Sequence, residues 1–169
     1  MNTVYYTNLD KKDAHEFLFF ILEKYYDLKI TDKDLKKTEF GKLYIENSPI
    51  AFNISHSQNI VAIVISNENV GIDVEVIKDK KFSNINKNVF GNEILKKEDF
   101  FALWTKAESF VKYKASSILT SLKNIRIDGQ KIYYNDNLED VIITTKKVDD
   151  FFISVCSNQN DFDIIKLDY

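Results

Sequence analysis

The sequence predicts an α+β protein of two similar halves, each a helix packed on a mainly antiparallel sheet. Apolar residues recur at helical spacing in two separate stretches, near residues 10–28 and 96–115. Each stretch is followed by short strand-like runs joined by tight polar turns. A chain of 169 residues with 44% hydrophobic and 14% aromatic content has the size for one domain, or two small halves on one core.

Residues 4–7 read as a short edge strand. Asp10 then caps a helix whose inward face carries Ala14, Phe17, Leu18, Ile21, Tyr25 and Leu28. Residues 31–50, with the only proline at Pro49, read as irregular. Two strands follow, 51–55 and 60–66, with a polar turn at 57–59, and "NENVG" leads into a third strand, 71–76. Beyond a lysine-rich connector, Phe100, Leu103, Trp104, Ala107 and Val111 form one stripe of a helix over 96–115. "SLKNIRID", "KIYYN", "DVIITTKKV" and "FFISVCS" read as the closing strands, with Gly129 in the first turn. No linker divides the chain. It is read as a single domain, 1–169, of approximate halves 1–70 plus a C-terminal strand at 151–169, and 71–150.

Composition removes several classes of function. A net charge of −3, with 23 basic and 26 acidic residues interspersed, gives no general attraction to nucleic acid or an anionic membrane. The single cysteine excludes an internal disulfide and any multi-cysteine metal site, and its apolar setting reads as an inert core thiol. The longest apolar run, Phe17 to Leu22, is far too short to span a bilayer, and the first ten residues lack the pattern of a signal peptide. A cytoplasmic protein is expected.

The chemistry gathers in "FNISHSQNIVAIVISNENVGIDVE", 52–75, which sets Asn53, Ser55, Asp73 and Glu75 on strands. On a strand, Asp73 and Glu75 point to one side about 6–7 Å apart, while Ile72, Val74 and Val76 face the core. Two close carboxylates suit a hard divalent cation; they also suit a solvated polar sheet face. Glu108 and Lys112, four apart on the second helix, are either a surface ion pair or a third carboxylate with a phosphate-binding ammonium. His56, between Ser55 and Ser57, offers donors for a phosphate at a strand end, whereas His15 reads as peripheral. "FGK" places Lys42 beside a flexible glycine.

Together, "GK" at 41–42, "FNISHS" at 52–57, "GIDVE" at 71–75 and "WTKAESFVK" at 104–112 resemble, in order and spacing, the 4′-phosphopantetheinyl transferases of the Sfp-like type. The likeness covers nearly the whole chain, with "KKDAHEFLFFILEKYY" similar to the early helix of that family and "FFISVCSNQNDFDIIKL" to its closing strand. The resemblance implies Mg²⁺-dependent transfer of the phosphopantetheine arm of coenzyme A to a serine of an apo acyl or peptidyl carrier protein, releasing adenosine 3′,5′-bisphosphate. It implies Asp73, Glu75 and Glu108 as metal ligands, and Glu108 and Lys112 as catalytic groups. Lys42, Ser55, His56, Lys106 and Lys112 would bind coenzyme A, in a cleft between the halves of a monomer. The chain departs from the W-x-x-K-E-x-x-x-K pattern at Ala107, where Lys106 stands one residue early, and a lysine restored at 107 is expected to raise activity if that ammonium matters. Leu43 replaces the proline of "GKP", "YKASS" stands where glycines are usual, and Glu16 replaces a basic residue that Lys11 or Lys12 would have to supply. These losses also motivate an alternative, a degenerate member that binds coenzyme A or a carrier without turnover. An unrelated magnesium-dependent hydrolase is a third possibility.

Overall fold

The computed structural model describes residues 1–78, 96–117 and 121–169; most of the lysine-rich connector lies outside the described residues. Two large sheets, each covered by one helix, make four layers. In the first half, β1 (Asn2–Asn8), β4 (Ala51–Ser57), β5 (Ile60–Ser66) and β11 (Phe162–Lys166) form a sheet in the order β11-β1-β5-β4. In the second, β6 (Gly71–Val76), β7 (Ile125–Asp128), β8 (Lys131–Tyr134), β9 (Asn137–Val148) and β10 (Phe151–Ser157) run β6-β10-β9-β8-β7. The small hairpin β2 (Leu35–Lys37) and β3 (Leu43–Ile45) lies in the stretch expected to be irregular.

Every pairing within the two large sheets is antiparallel except β1 with β11. The sheets face each other across one apolar core, in which Val4, Ala62 and Val64 meet Ile72, Val74, Ile153 and Val155. The opposite face of the first sheet is covered by α1 (Ala14–Tyr26), through Phe17, Leu18, Ile21 and Leu22 against Val61, Ile63 and Ile65. Asp10 accepts from the Lys12 amide, so a capped 3₁₀ turn precedes that helix. Helix α2 (Lys97–Tyr113) covers the outer face of the second sheet.

Three expectations are corrected. β1 is interior, because β5 and β11 flank it on both sides; the residues that close its edge come 160 positions later, as in the pair Asn2 with Phe162. The C-terminal strand assigned to the first half is two strands. β10 pairs with β6 and β9 in the second sheet, and only β11 joins the first. The stripe of α2 is also too narrow, since Phe101, Thr105, Ser109 and Phe110 are buried as well. Among the described residues no helix is long and apolar enough to cross a membrane.

Candidate functional site

At Asp73, β6 has no solvent face. Ile72 and Val74 enter the inter-sheet core, and Asp73, only 3% exposed, points to α2. This removes the solvated polar face as a reading of Asp73. Gly71 brings helix and strand together: a Cβ there would lie 2.1 Å from the Ser109 carbonyl oxygen and 2.4 Å from the Tyr113 amide nitrogen. With backbones so close, one helical turn delivers Glu108 and Lys112 to the β6 carboxylates.

β4 reaches β6 through side chains. The Ile72 amide donates to Asn53 Oδ1 at 2.9 Å, the Val74 amide to Ser55 Oγ at 3.2 Å and the Val76 amide to Ser57 Oγ at 3.1 Å. The free edge of the second sheet is thereby satisfied by buried groups two residues apart on β4. Ser55 donates in turn to Asp73 Oδ1 at 2.8 Å, and Lys112 Nζ donates to Ser55 Oγ at 2.8 Å and to Asp73 Oδ1 at 2.6 Å. Ser55 thus has its proton and both lone pairs engaged within the protein.

Glu108 lies beside this cluster. Burial pushes its carboxyl up to about 8, and the charges of Asp73 and Glu75 add to that shift. Lys112 and a hydrogen bond from Trp104 oppose it. His56 turns outward from the same strand and is exposed; partial burial and the charges of Lys11 and Lys112 hold its imidazole below the usual range, against Glu75. Lys11 is therefore an early basic residue whose charge reaches His56, while Glu16, in the first turn of α1, is exposed and its charge reaches Tyr169.

The remaining lysines go elsewhere. Lys42 Nζ donates to Asn69 Oδ1 at 2.6 Å, the Val70 carbonyl at 2.8 Å and the Tyr113 carbonyl at 3.4 Å, and burial lowers it to about 8. It ties the turn before β6 to the end of α2 and lines a cleft of about 240 Å³ with Phe40, Asn53, Val111, Lys112 and Ala115. Lys106 stands apart, donating to the Gly129 carbonyl at 2.9 Å, and is not gathered with Lys112. Ala107 is fully buried in the cluster of Val111 and Leu122. A lysine there would start from the core, so the gain expected from restoring it loses its physical basis. Cys156 is fully buried, which raises its thiol far above the ordinary range, and His15 pairs peripherally with Asp32 at 2.7 Å.

The donor set fits a hard cation. Asp73 Oδ2 is buried and has no hydrogen-bond partner among the described residues, which leaves one oxygen of the carboxylate open to a further ligand. Among those residues, no three His, Cys, Asp or Glu side chains form a ready-made metal cage. Magnesium needs none, since it commonly takes one or two carboxylates and completes its shell with water and substrate phosphate. Sequence reasoning passed over Ser57 as a site residue, although its place two residues after Ser55 puts both hydroxyls on one face of β4.

The second half is thus a helix-on-sheet unit with an Asp–Lys–Ser cluster beside a raised carboxyl, an arrangement of acidic and basic groups suited to catalysis. No family model matches the sequence. Among curated proteins, 4′-phosphopantetheinyl transferase Sfp of Bacillus subtilis (strain 168) is 30% identical over 185 residues, 94% of this chain and 82% of its own. The transferase ffp of Bacillus subtilis is 28% identical over 186 residues, with the same 94% and 82% coverage. The transferase gsp of Aneurinibacillus migulanus is 30% identical over 157 residues, 82% of this chain and 65% of its own. The chain belongs to the 4′-phosphopantetheinyl transferases.

Proposed function

We propose that the protein transfers the 4′-phosphopantetheine arm of coenzyme A to a serine of an apo acyl or peptidyl carrier protein, with Mg²⁺, releasing adenosine 3′,5′-bisphosphate. The observation that carries this reading is the convergence of Ser55, Asp73 and Lys112 at 2.6–2.8 Å from three elements, beside the raised carboxyl of Glu108. Magnesium held by Asp73, Glu75 and Glu108 would supply neutralisation of diphosphate charge. Glu108 takes the proton of the carrier serine, directly or through water. The serine oxygen then forms its bond to phosphorus as the diphosphate bond to the departing nucleotide breaks. Lys112 offsets the charge that builds on the leaving side. His56 is exposed to meet coenzyme A, whereas Lys42, Ser55 and Lys106 would join it only by leaving their present partners in the protein. We assign the work to one cytoplasmic, monomeric domain, 1–169, whose site lies between its halves.

Intact-mass spectrometry of apo-carrier proteins incubated with the protein, coenzyme A and magnesium tests this reading. The expected result is a mass gain of one phosphopantetheine arm that EDTA abolishes. Coenzyme A binding with no gain on any carrier would replace the proposal with the alternative of a binder without turnover. Nucleotide release in the absence of a carrier would favour a hydrolase.

A further inference from the structure

We infer that Ser57 is a positioning residue that holds Glu75 in its metal-binding orientation; the inference rests on the proposal that Glu75 is a metal ligand. The geometry is a unit repeated along β4. Ser55 donates to Asp73 Oδ1 at 2.8 Å and accepts from the next amide of β6, Val74, at 3.2 Å. Two residues on, Ser57 donates to Glu75 Oε2 at 2.7 Å and accepts from the Val76 amide at 3.1 Å. His56, between them, faces the other way and is exposed.

The direction of each bond follows from chemistry. A backbone N–H can only donate, so Ser57 Oγ must accept from Val76, and its single proton goes to the carboxylate. Ser57 is 4% exposed and sits on a paired strand, so its rotamer is set by packing. Glu75 is longer than Asp73 and its side chain is 25% exposed, which leaves it room to turn to solvent. Among the described residues Asp73 has two direct partners, Ser55 and Lys112. Among the same residues Glu75 takes its hydrogen bond from the Ser57 hydroxyl, while Lys78 Nζ stands 3.7 Å from the same Oε2, an ion-pair distance beyond hydrogen-bond range. Ser57 therefore fixes Glu75 before a cation arrives, as hydrogen-bonded outer groups do for carboxylate ligands.

The test is titration of the full chain with Mn²⁺ in the presence of coenzyme A, read by the paramagnetic signal of free Mn²⁺, beside the metal dependence of transfer. Ser57→Ala should weaken Mn²⁺ about 10-fold and raise the metal concentration for half-maximal activity in step, with kcat at saturating metal nearly unchanged. Ser57→Thr, which keeps the hydroxyl, should restore the affinity. Should Ser57→Ala fail to fold, Ser57→Cys, a weak donor, carries the same reading, and wild-type affinity in it overturns the inference. Glu75→Gln separates the two levels. If it weakens Mn²⁺ and Ser57→Ala does not, the inference fails and the metal reading survives. If Glu75→Gln itself binds Mn²⁺ as the wild type does, the metal role of Glu75 falls, and the inference with it.

Discussion

Helix α1 meets its sheet through Ala14, Phe17, Leu18, Ile21 and Leu22, an apolar contact throughout. Helix α2 occupies the corresponding place on the second sheet, yet Thr105 and Ser109 are among its buried residues and Asp73 and Ser154 lie on the strands beneath it. Thr105 Oγ1 and Ser154 Oγ are 2.9 Å apart, and Ser154 Oγ and Thr145 Oγ1 2.8 Å, so hydroxyls continue across the sheet from the row of Asp73. Burying a polar group costs free energy unless it is paired, whereas an apolar contact is stabilising outright. The first half therefore supplies stability, and the second accepts a less favourable interface that concentrates charge where a reaction can use it.

Substitutions in the two interfaces should separate these roles. Asp73→Ala is expected to lower transfer by about 10²–10³-fold, measured by the carrier mass assay, since it removes a preorganised charge. Its fold should persist, because Lys112, with a side chain 26% exposed, can turn to water. Near-normal transfer in this variant would sink the metal assignment. On the opposite interface, Leu18→Ala should cost about 2–5 kcal/mol in urea unfolding while transfer per folded molecule holds. A loss of turnover there would end the division of labour.

The polar interface should also respond to pH where the apolar one does not. Glu108 titrates near 8 in the fold against an ordinary 4.5, so between those values the folded chain retains a proton that the unfolded chain has released. Metal-free stability should therefore fall as pH rises through that window, and Glu108→Gln should flatten the fall. An unchanged slope in the variant would assign it to other groups.

The smallest effect concerns the end of α2. The Ser116 amide bonds the Val111 carbonyl at 3.1 Å and the Ala115 amide the Lys112 carbonyl at 3.2 Å, a Schellman closure with Ala115 at φ 47°. Ala115→Gly should relieve that left-handed strain and stabilise by about 1 kcal/mol in urea unfolding. No gain would mean the strain is absorbed elsewhere.

The contrast also explains what could be read in advance. β6 was legible from Ile72, Val74 and Val76, whose alternation needs no distant partner. β1 was legible as a strand but not as an interior one, because that depends on β11, 160 positions later. Asp73, Glu75, Glu108 and Lys112 were legible as candidate site residues from their type and spacing. That Lys112 sits on Asp73 was not, since the two are 39 residues apart and joined by the close approach at Gly71. The ends of Lys42 and Lys106 were unreadable for a related reason: both bind main-chain carbonyls, which carry no sequence signature.

The parallel pair of β1 and β11 has a consequence for how the chain folds. The second sheet is drawn wholly from residues between Gly71 and Ser157, so it can assemble from one continuous span of the sequence. The first cannot. Val4 waits for Ile164, and until the two pair the outer edge of β1 is a row of unpaired amides and carbonyls. Closing so long a loop is entropically slow, which places the completion of the first half last and leaves a chain refolding from denaturant most prone to associate through that open edge.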